Sequence, residues 1–338
     1  MLLKYRTFEL KLKHPFKITR GVRTSNWVVL IEVEHDGVIG YGEASPSQRY
    51  GETIETVQNF LNKVDLSKFN DPFNLEEILN YIDSIEPGNT SAKAGIDIAL
   101  HDLIGKLLKI PIYKLFGLNK EKTPITSFTI GIDEPNVIER KVREAEEYPI
   151  LKVKLGLEND EEIIRTIRKI TDKLIRVDAN EGWKTKELAL EKIKWLQDEG
   201  VELVEQPMPA NDLDSVAWLR DKVDIPIIAD ENCIRLYDVP TLGKAYDGIN
   251  IKLMKSTGIR EAIKMINTAR AMNMKIMIGC MIESSVGITA GAQISPLVDF
   301  ADLDGNLLIT NDPFEGVKVK GGKLILPDEP GLGVKKLI

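Results

Sequence analysis

Residues 151–180 read LKVKLGLENDEEIIRTIRKITDKLIRVDAN. A short apolar run, Leu151–Leu155, leads into an amphipathic helical segment, Glu161–Thr171, and then into a second apolar run, Leu174–Val177. The unit recurs on both sides. Further strand-like runs lie at Ile125–Ile130, Leu203–Val204, Ile225–Ala229, Gly248–Ile251, Lys275–Gly279 and Val298–Ala301, with helices such as Lys186–Gly200 and Gly258–Met272 between them. Eight runs alternating with helices, without a sustained internal sequence repeat, predict a parallel barrel. A doubly wound open sheet is the alternative. It would want a glycine-rich phosphate loop after its first strand, and none is present.

Upstream of residue 121 the rhythm differs. Phe8, Leu10 and Leu12 alternate with Glu9, Lys11 and Lys13, and Val29, Ile31 and Val33 alternate with Leu30, Glu32 and Glu34. Asp36-Gly37 supplies a tight turn, so this part reads as an antiparallel sheet with one wet face. Two stretches read as long loops: His14–Asn26, with Arg20 and Arg23, and Ala44–Glu52, with Arg49 and Tyr50. Helical spacing begins at Thr53, and Ser91–Leu108 is rich in small residues, which suggests close packing. The expected organisation is an α+β capping part over 1–120, a barrel over 121–310, and a tail over 311–338. The tail is too small to stand alone and should return to the cap. Gly321-Gly322 reads as a hairpin turn.

Composition narrows the chemistry. The 338 residues include only three histidines (His14, His35, His101) and two cysteines (Cys233, Cys280). Neither a zinc site nor a disulfide framework follows from so few. The net charge of −7 argues against a nucleic-acid or anionic-membrane partner. Charges interrupt every apolar run well before about 18 residues, and Met1–His14 lacks the long apolar stretch of a signal peptide. A cytoplasmic protein is expected, and any chemistry must rest mainly on carboxylates and lysines.

Those residues sit at strand ends, where barrel enzymes place their active sites. Lys152 and Lys154 share one face of the second strand. Asp178, Glu205, Asp230 and Lys252 end the next four, and Asp302 and Asp304 follow the eighth. Three carboxylates from adjacent strands, about 4.8 Å apart, converge on one hard divalent cation, for which Mg²⁺ is the natural choice. Lys154 and Lys252 flank the acids and would face each other across whatever the metal holds. A metal with open positions takes a substrate carboxylate and stabilises the charge left when the neighbouring carbon loses a proton. Lys152, as a neighbouring cation, should lower the pKa of Lys154 and make it a usable base. A lysine on each face of the carbon gives racemisation or epimerisation.

These residues resemble the enolase superfamily in its muconate-lactonising-enzyme subgroup. The matching stretches are Leu151-Lys-Val-Lys-Leu155, Val177-Asp-Ala-Asn180, Val204-Glu-Gln-Pro207, Ala229-Asp-Glu231 and Asn250-Ile-Lys252. The resemblance covers essentially the whole chain. It implies a (β/α)₇β modified TIM barrel under an α+β cap made from both termini, and a lysine base acting with Mg²⁺. Within the subgroup, Asp302-Leu-Asp304-Gly305 and Gly279-Cys-Met-Ile-Glu-Ser284 are similar to the dipeptide epimerases. There the aspartate pair holds the dipeptide's α-ammonium. A D-x-D after the last strand also makes independent sense, since a substrate with a free amine needs anions at the end distant from the metal; the alternative is that Asp302 and Asp304 simply cap a loop.

The resemblance therefore implies epimerisation of dipeptides at the α-carbon of the C-terminal residue, in cell-wall peptide metabolism. Substrate contacts are expected from Arg20, Tyr50, Cys280, Met281 and Glu283, and metal-ligand orientation from Asn180 and Glu231. Arg20 leans toward an acidic substrate side chain; Met281 and Ile282 lean toward an apolar one. A homo-oligomer is expected. The alternatives are other reactions of the subgroup: an N-acylamino-acid racemase, an o-succinylbenzoate synthase or a muconate cycloisomerase. A Schiff-base lyase would not need three converging carboxylates, and a non-catalytic barrel would not need the full set of lysines and acids.

Overall fold

The computed structural model describes residues 1–18 and 21–338. The alternating N-terminal residues form β1 (Leu2–Ile18), β2 (Gly21–His35) and β3 (Val38–Ala44), an antiparallel sheet in that order with a turn at Asp36-Gly37. Here the reading of His14–Asn26 as a loop is corrected. Both strands run on through it as a long ribbon, with a register shift between Lys11 and Phe16. Leu12, His14 and Phe16 do alternate with exposed Lys11, Lys13 and Pro15. The proline hides the pattern, yet an edge strand tolerates one. Arg20 lies outside the described residues.

Helices α1 (Ile54–Leu61), α2 (Leu75–Ile85), α3 (Thr90–Leu108) and the short α4 (Ile112–Leu115) complete the cap. Its apolar core joins Val29, Ile31 and Val33 of the sheet to Ile96, Leu100 and Leu103 of α3. The small residues of α3 have a steric reason. A Cβ on Gly42 of β3 would lie 1.9 Å from the carbonyl oxygen of Gly95 on α3.

The eight parallel strands are β4 (Phe128–Ile130), β5 (Ile150–Lys154), β6 (Leu174–Asp178), β7 (Val201–Glu205), β8 (Ile227–Ala229), β9 (Gly248–Lys252), β10 (Lys275–Gly279) and β11 (Phe300–Asp302). Each pairs with the next, and a parallel bridge from Thr126 to Ala301 brings the first back to the last. Seven helices fill the seven connections: α5 (Pro135–Glu144), α6 (Asp160–Arg168), α7 (Lys186–Asp198), α8 (Leu213–Arg220), α9 (Val239–Leu242), α10 (Ile259–Ala271) and α11 (Ser285–Ile294). This is the expected (β/α)₇β order. The last strand begins two residues later than its apolar run, because Val298 and Asp299 still turn out of the 3₁₀ turn Ser295–Leu297, and the first begins three later, with Ile125 and Thr126 held in isolated bridges to Lys323 and Ala301.

The barrel interior is apolar at one level and ionic at the other. Leu203, Ile228 and Met277 form a small cluster with Phe300. Arg176 stacks on the Phe300 ring at 4.9 Å and pairs with Glu202 at 2.6 Å. Two residues further along the strands come Asp178, Glu205, Asp230, Lys252 and Asp302, all buried.

Beyond the barrel, β12 (Phe314–Glu315) pairs with β15 (Lys335–Lys336), and β13 (Lys318–Lys320) with β14 (Lys323–Ile325) across Gly321-Gly322. The tail lies on the cap. The Gly331 amide donates to the Ile110 carbonyl at 2.9 Å, and the Leu332 amide to Asp102 at 2.7 Å.

Candidate active site

Strand register assembles the site. Lys154 of β5 pairs with Asp178 of β6, which pairs with Glu205 of β7. Asp230 follows β8 directly. One carboxylate oxygen from each of Asp178, Glu205 and Asp230 lies within 4.8 Å of the others, and all three residues are buried.

Buried anions need compensation. Lys154 donates to Asp178 Oδ2 at 2.6 Å, and Lys252 to Asp230 Oδ2 at 2.8 Å. Lys152 reaches Asp302 at 2.6 Å and Glu205 at 2.7 Å. Burial works against ionisation of Asp178, but Lys154 and Lys152 outweigh it and hold this carboxyl below its usual range. Burial opposes the charge on Asp230 too, and Lys252 and Lys255 overcome it. At Glu205 burial and Asp178 prevail, and the carboxyl is pushed up to about 7. A hard divalent cation at the point of convergence would relieve that penalty, and an all-oxygen donor set suits Mg²⁺. The three residues fit such an ion.

The expected effect of Lys152 is corrected by these contacts. Its ammonium is neutralised by Asp302, Glu205 and Asp178, so it brings little uncompensated charge to Lys154. Burial works to lower Lys152 and Lys252, yet the surrounding carboxylates hold both well above the ordinary lysine range.

Above the acids lies a cavity of about 450 Å³ between barrel and cap. Lys152, Lys154, Asp230 and Lys252 line its floor, and Asp302 and Asp304 one wall. Asp302 accepts from Ser127 Oγ at 2.7 Å as well as from Lys152. Asp304 accepts the Thr129 amide at 2.6 Å, and burial together with Asp302 raises its carboxyl to about 6. Cys280 and Met281 also line the cavity. Burial holds the Cys280 thiol well above its usual range, which makes it a poor nucleophile.

The cap closes the cavity with Phe16 and Arg23 from the ribbon and Tyr50 from the Ala44–Glu52 loop. Arg49 clamps that loop to the barrel through two bonds to Glu181, at 3.0 and 2.9 Å. Glu283 does not line the cavity. Its carboxylate is buried, accepts the Met281 amide at 2.7 Å and turns toward Gly287.

Asn180 and Glu231 sit beside the acids. The Asn180 amide donates to Asp178 Oδ1 at 2.9 Å, and its Nδ2 to Glu231 at 3.2 Å. Four further residues were not singled out from sequence. Asn250 donates to Glu205 Oε1 at 2.8 Å, and buried Lys255 donates to Asp230 Oδ1 at 2.5 Å. Gln206 Oε1 accepts the amides of Asp230 and Glu231 at 2.8 and 3.0 Å. Glu43 of the cap is fully buried and accepts the amide and hydroxyl of Ser284 at the start of α11. For Asn250 a signal existed: it stands two residues before Lys252 and so shares its inward face.

Residues 3–117 match the mandelate racemase / muconate lactonizing enzyme N-terminal domain, and residues 137–336 the enolase C-terminal domain-like family. An L-Ala-D/L-Glu epimerase of Bacteroides thetaiotaomicron is 55% identical over 338 residues, covering 100% of this chain and 88% of that one. Two solved structures share the fold. A dipeptide epimerase from Cytophaga hutchinsonii, complexed with Mg and D-Ala-L-Val, has a TM-score of 0.93 at 31% identity, covering 99% of this chain and 95% of that one. A dipeptide epimerase from Enterococcus faecalis V583, complexed with Mg and L-Leu-L-Tyr, has a TM-score of 0.90 at 35% identity, covering 98% of both chains. With both halves matched and the relatives aligned nearly end to end, the chain belongs to the mandelate racemase / muconate lactonizing enzyme family of the enolase superfamily.

Proposed function

We propose that this protein is a Mg²⁺-dependent dipeptide epimerase that moves a proton at the α-carbon of the C-terminal residue. The observation that carries the reading is the placement of Lys154 and Lys252 in one cavity, each bonded to a different carboxylate of the acidic cluster. Amines on two sides of one carbon allow a proton to leave from one face and return on the other. The substrate's terminal carboxylate lies over the cluster, and its α-ammonium at Asp304 restores the charge that burial disfavours there. Asp178, Glu205 and Asp230 would hold Mg²⁺, which would offset their charge and stabilise negative charge on the substrate. Lys154 in its neutral form then takes the proton, Lys252 as ammonium supplies one, and reversal exchanges the roles. Tyr50 and Met281 enclose the substrate and exclude water, with Arg49 holding the cap loop shut. In this reading the cap comprises 1–120 and 311–338 and the barrel 121–310.

An acidic C-terminal side chain is favoured. Arg23 lines the cavity and, among the described residues, donates only a long bond, 3.3 Å, to the neutral side-chain oxygen of Asn26, whereas Arg49 is engaged by Glu181. The activity of the Bacteroides relative on Ala-Glu agrees. A dipeptide library incubated with Mg²⁺ in D₂O and read by mass tests the proposal. We expect α-deuterium uptake, strongest on Ala-Glu. Uptake on N-acyl amino acids with none on any dipeptide would replace it with a racemase.

A further inference from the structure

A second cavity, about 200 Å³, opens behind the aspartate wall, between the ribbon, β4 and α5. It shares Phe16, Thr129 and Leu308 with the first. Its floor is apolar: Phe128 and Tyr148 stack with ring centroids 4.6 Å apart, and Leu12 and Leu307 face them. Polar and charged side chains occupy the rim: His14 hydrogen-bonds Glu144 at 2.8 Å, Lys141 pairs with Asp133 at 3.1 Å, and Lys13 and Glu147 line it too.

The position of this cavity relates it to the substrate. Thr129, which lines both cavities, gives its amide to Asp304, the residue assigned to the ammonium. Ammonium and side chain leave the same carbon of the N-terminal residue. A side chain on that residue therefore starts beside Thr129, in the wall that the two cavities share. Neither Phe16 nor Leu308 offers a polar side-chain group, so passage between them breaks no side-chain hydrogen bond. An apolar cavity of about 150 Å³ suffices for a benzene ring.

We propose that this second cavity is a subsite for an aliphatic or aromatic side chain on the substrate's N-terminal residue, so that residues larger than alanine are accepted there. The inference rests on the dipeptide reading. Leu307 and Leu12 line only the second cavity, so filling it from either side leaves the reacting groups in place.

The experiment compares Ala-Glu, Leu-Glu and Phe-Glu on the Mg²⁺-loaded wild type, Leu307→Trp and Leu12→Trp. Wild type is expected to turn over all three with kcat/KM within about tenfold of one another. Either tryptophan variant is expected to lower Leu-Glu and Phe-Glu by about tenfold or more, with Ala-Glu changed less than about twofold. The inference is overturned by a wild type that turns over Ala-Glu but neither larger peptide. Variants that both fold and lower all three substrates equally also overturn it. No turnover of any peptide, Ala-Glu included, overturns the dipeptide reading and this subsite together.

Discussion

Asn250 donates its amide hydrogen to Glu205 Oε1 across 2.8 Å inside the barrel, and Gly279 on the next strand makes room for it. A Cβ at Gly279 would come within 2.6 Å of Asn250 Oδ1. Asn250 thus turns the one acid of the cluster whose charge is disfavoured. Groups that orient metal ligands are worth about 10–100-fold in metal affinity. Asn250→Ala, a neutral change, should weaken Mg²⁺ binding by about that factor in titration calorimetry, and chelation should abolish α-proton exchange in the wild type. Unchanged Mg²⁺ affinity would remove Asn250 from this role.

Asp304→Asn keeps the shape of the wall but removes the counter-charge for an ammonium. It should raise KM for Ala-Glu and lower kcat/KM by about thirtyfold or more, since truncating one side of a buried charge pair costs about 2 kcal/mol or more. N-acetylated Ala-Glu, without the ammonium, should respond to the substitution far less. Equal effects on both peptides would detach Asp304 from ammonium binding.

Arg23 should discriminate among C-terminal side chains. Arg23→Ala is expected to cut kcat/KM for Ala-Glu by about thirtyfold or more, while Ala-Ala changes only a few-fold. A uniform loss across both peptides would assign Arg23 to closing the ribbon instead of reading the acid.

Glu43 links cap to barrel in a pH-dependent way. Burial, with help from Glu283, pushes its carboxyl up to about 8 from an ordinary 4.5, against the Ser284 hydrogen bonds. The folded protein keeps a proton that the unfolded chain releases. The resulting stability is fully present below about pH 4.5 and is lost as pH rises toward 8. Its slope is at most about 1.4 kcal/mol per pH unit. Glu283 and Asp304 drift the same way, so the informative quantity is wild type minus Glu43→Gln in urea unfolding from pH 5 to 9. That difference should shrink or turn against the wild type as pH rises. Parallel curves would mean that Glu43 is ionised when folded.

The barrel and its acids were legible because a strand-end residue carries its direction with it. Alternation puts Lys152, Lys154, Asp178 and Glu205 inward, and the strand–helix spacing puts them at one rim. Contacts made across the interior by turns were not legible. Lys255 reaches Asp230 only because the chain curls back after Lys252, and Gln206 reaches two amides from a backbone at φ +40°. The ribbon was missed because Pro15 interrupts its alternation, and with it the place of Arg23 in the cavity. The compensation of Lys152 by three acids depends on barrel closure, since Asp302 arrives from β11, 150 residues along the chain.

The central claim is that Lys154 and Lys252 serve opposite faces of one carbon. It is tested most directly by α-deuterium exchange of L-Ala-L-Glu and L-Ala-D-Glu in D₂O with the variants Lys154→Ala and Lys252→Ala. Each variant should lose epimerisation by about 10²-fold or more. Each should still exchange the α-hydrogen of one epimer, and the two variants should retain opposite ones. Retention of the same epimer by both variants, or epimerisation surviving in either, would contradict the account.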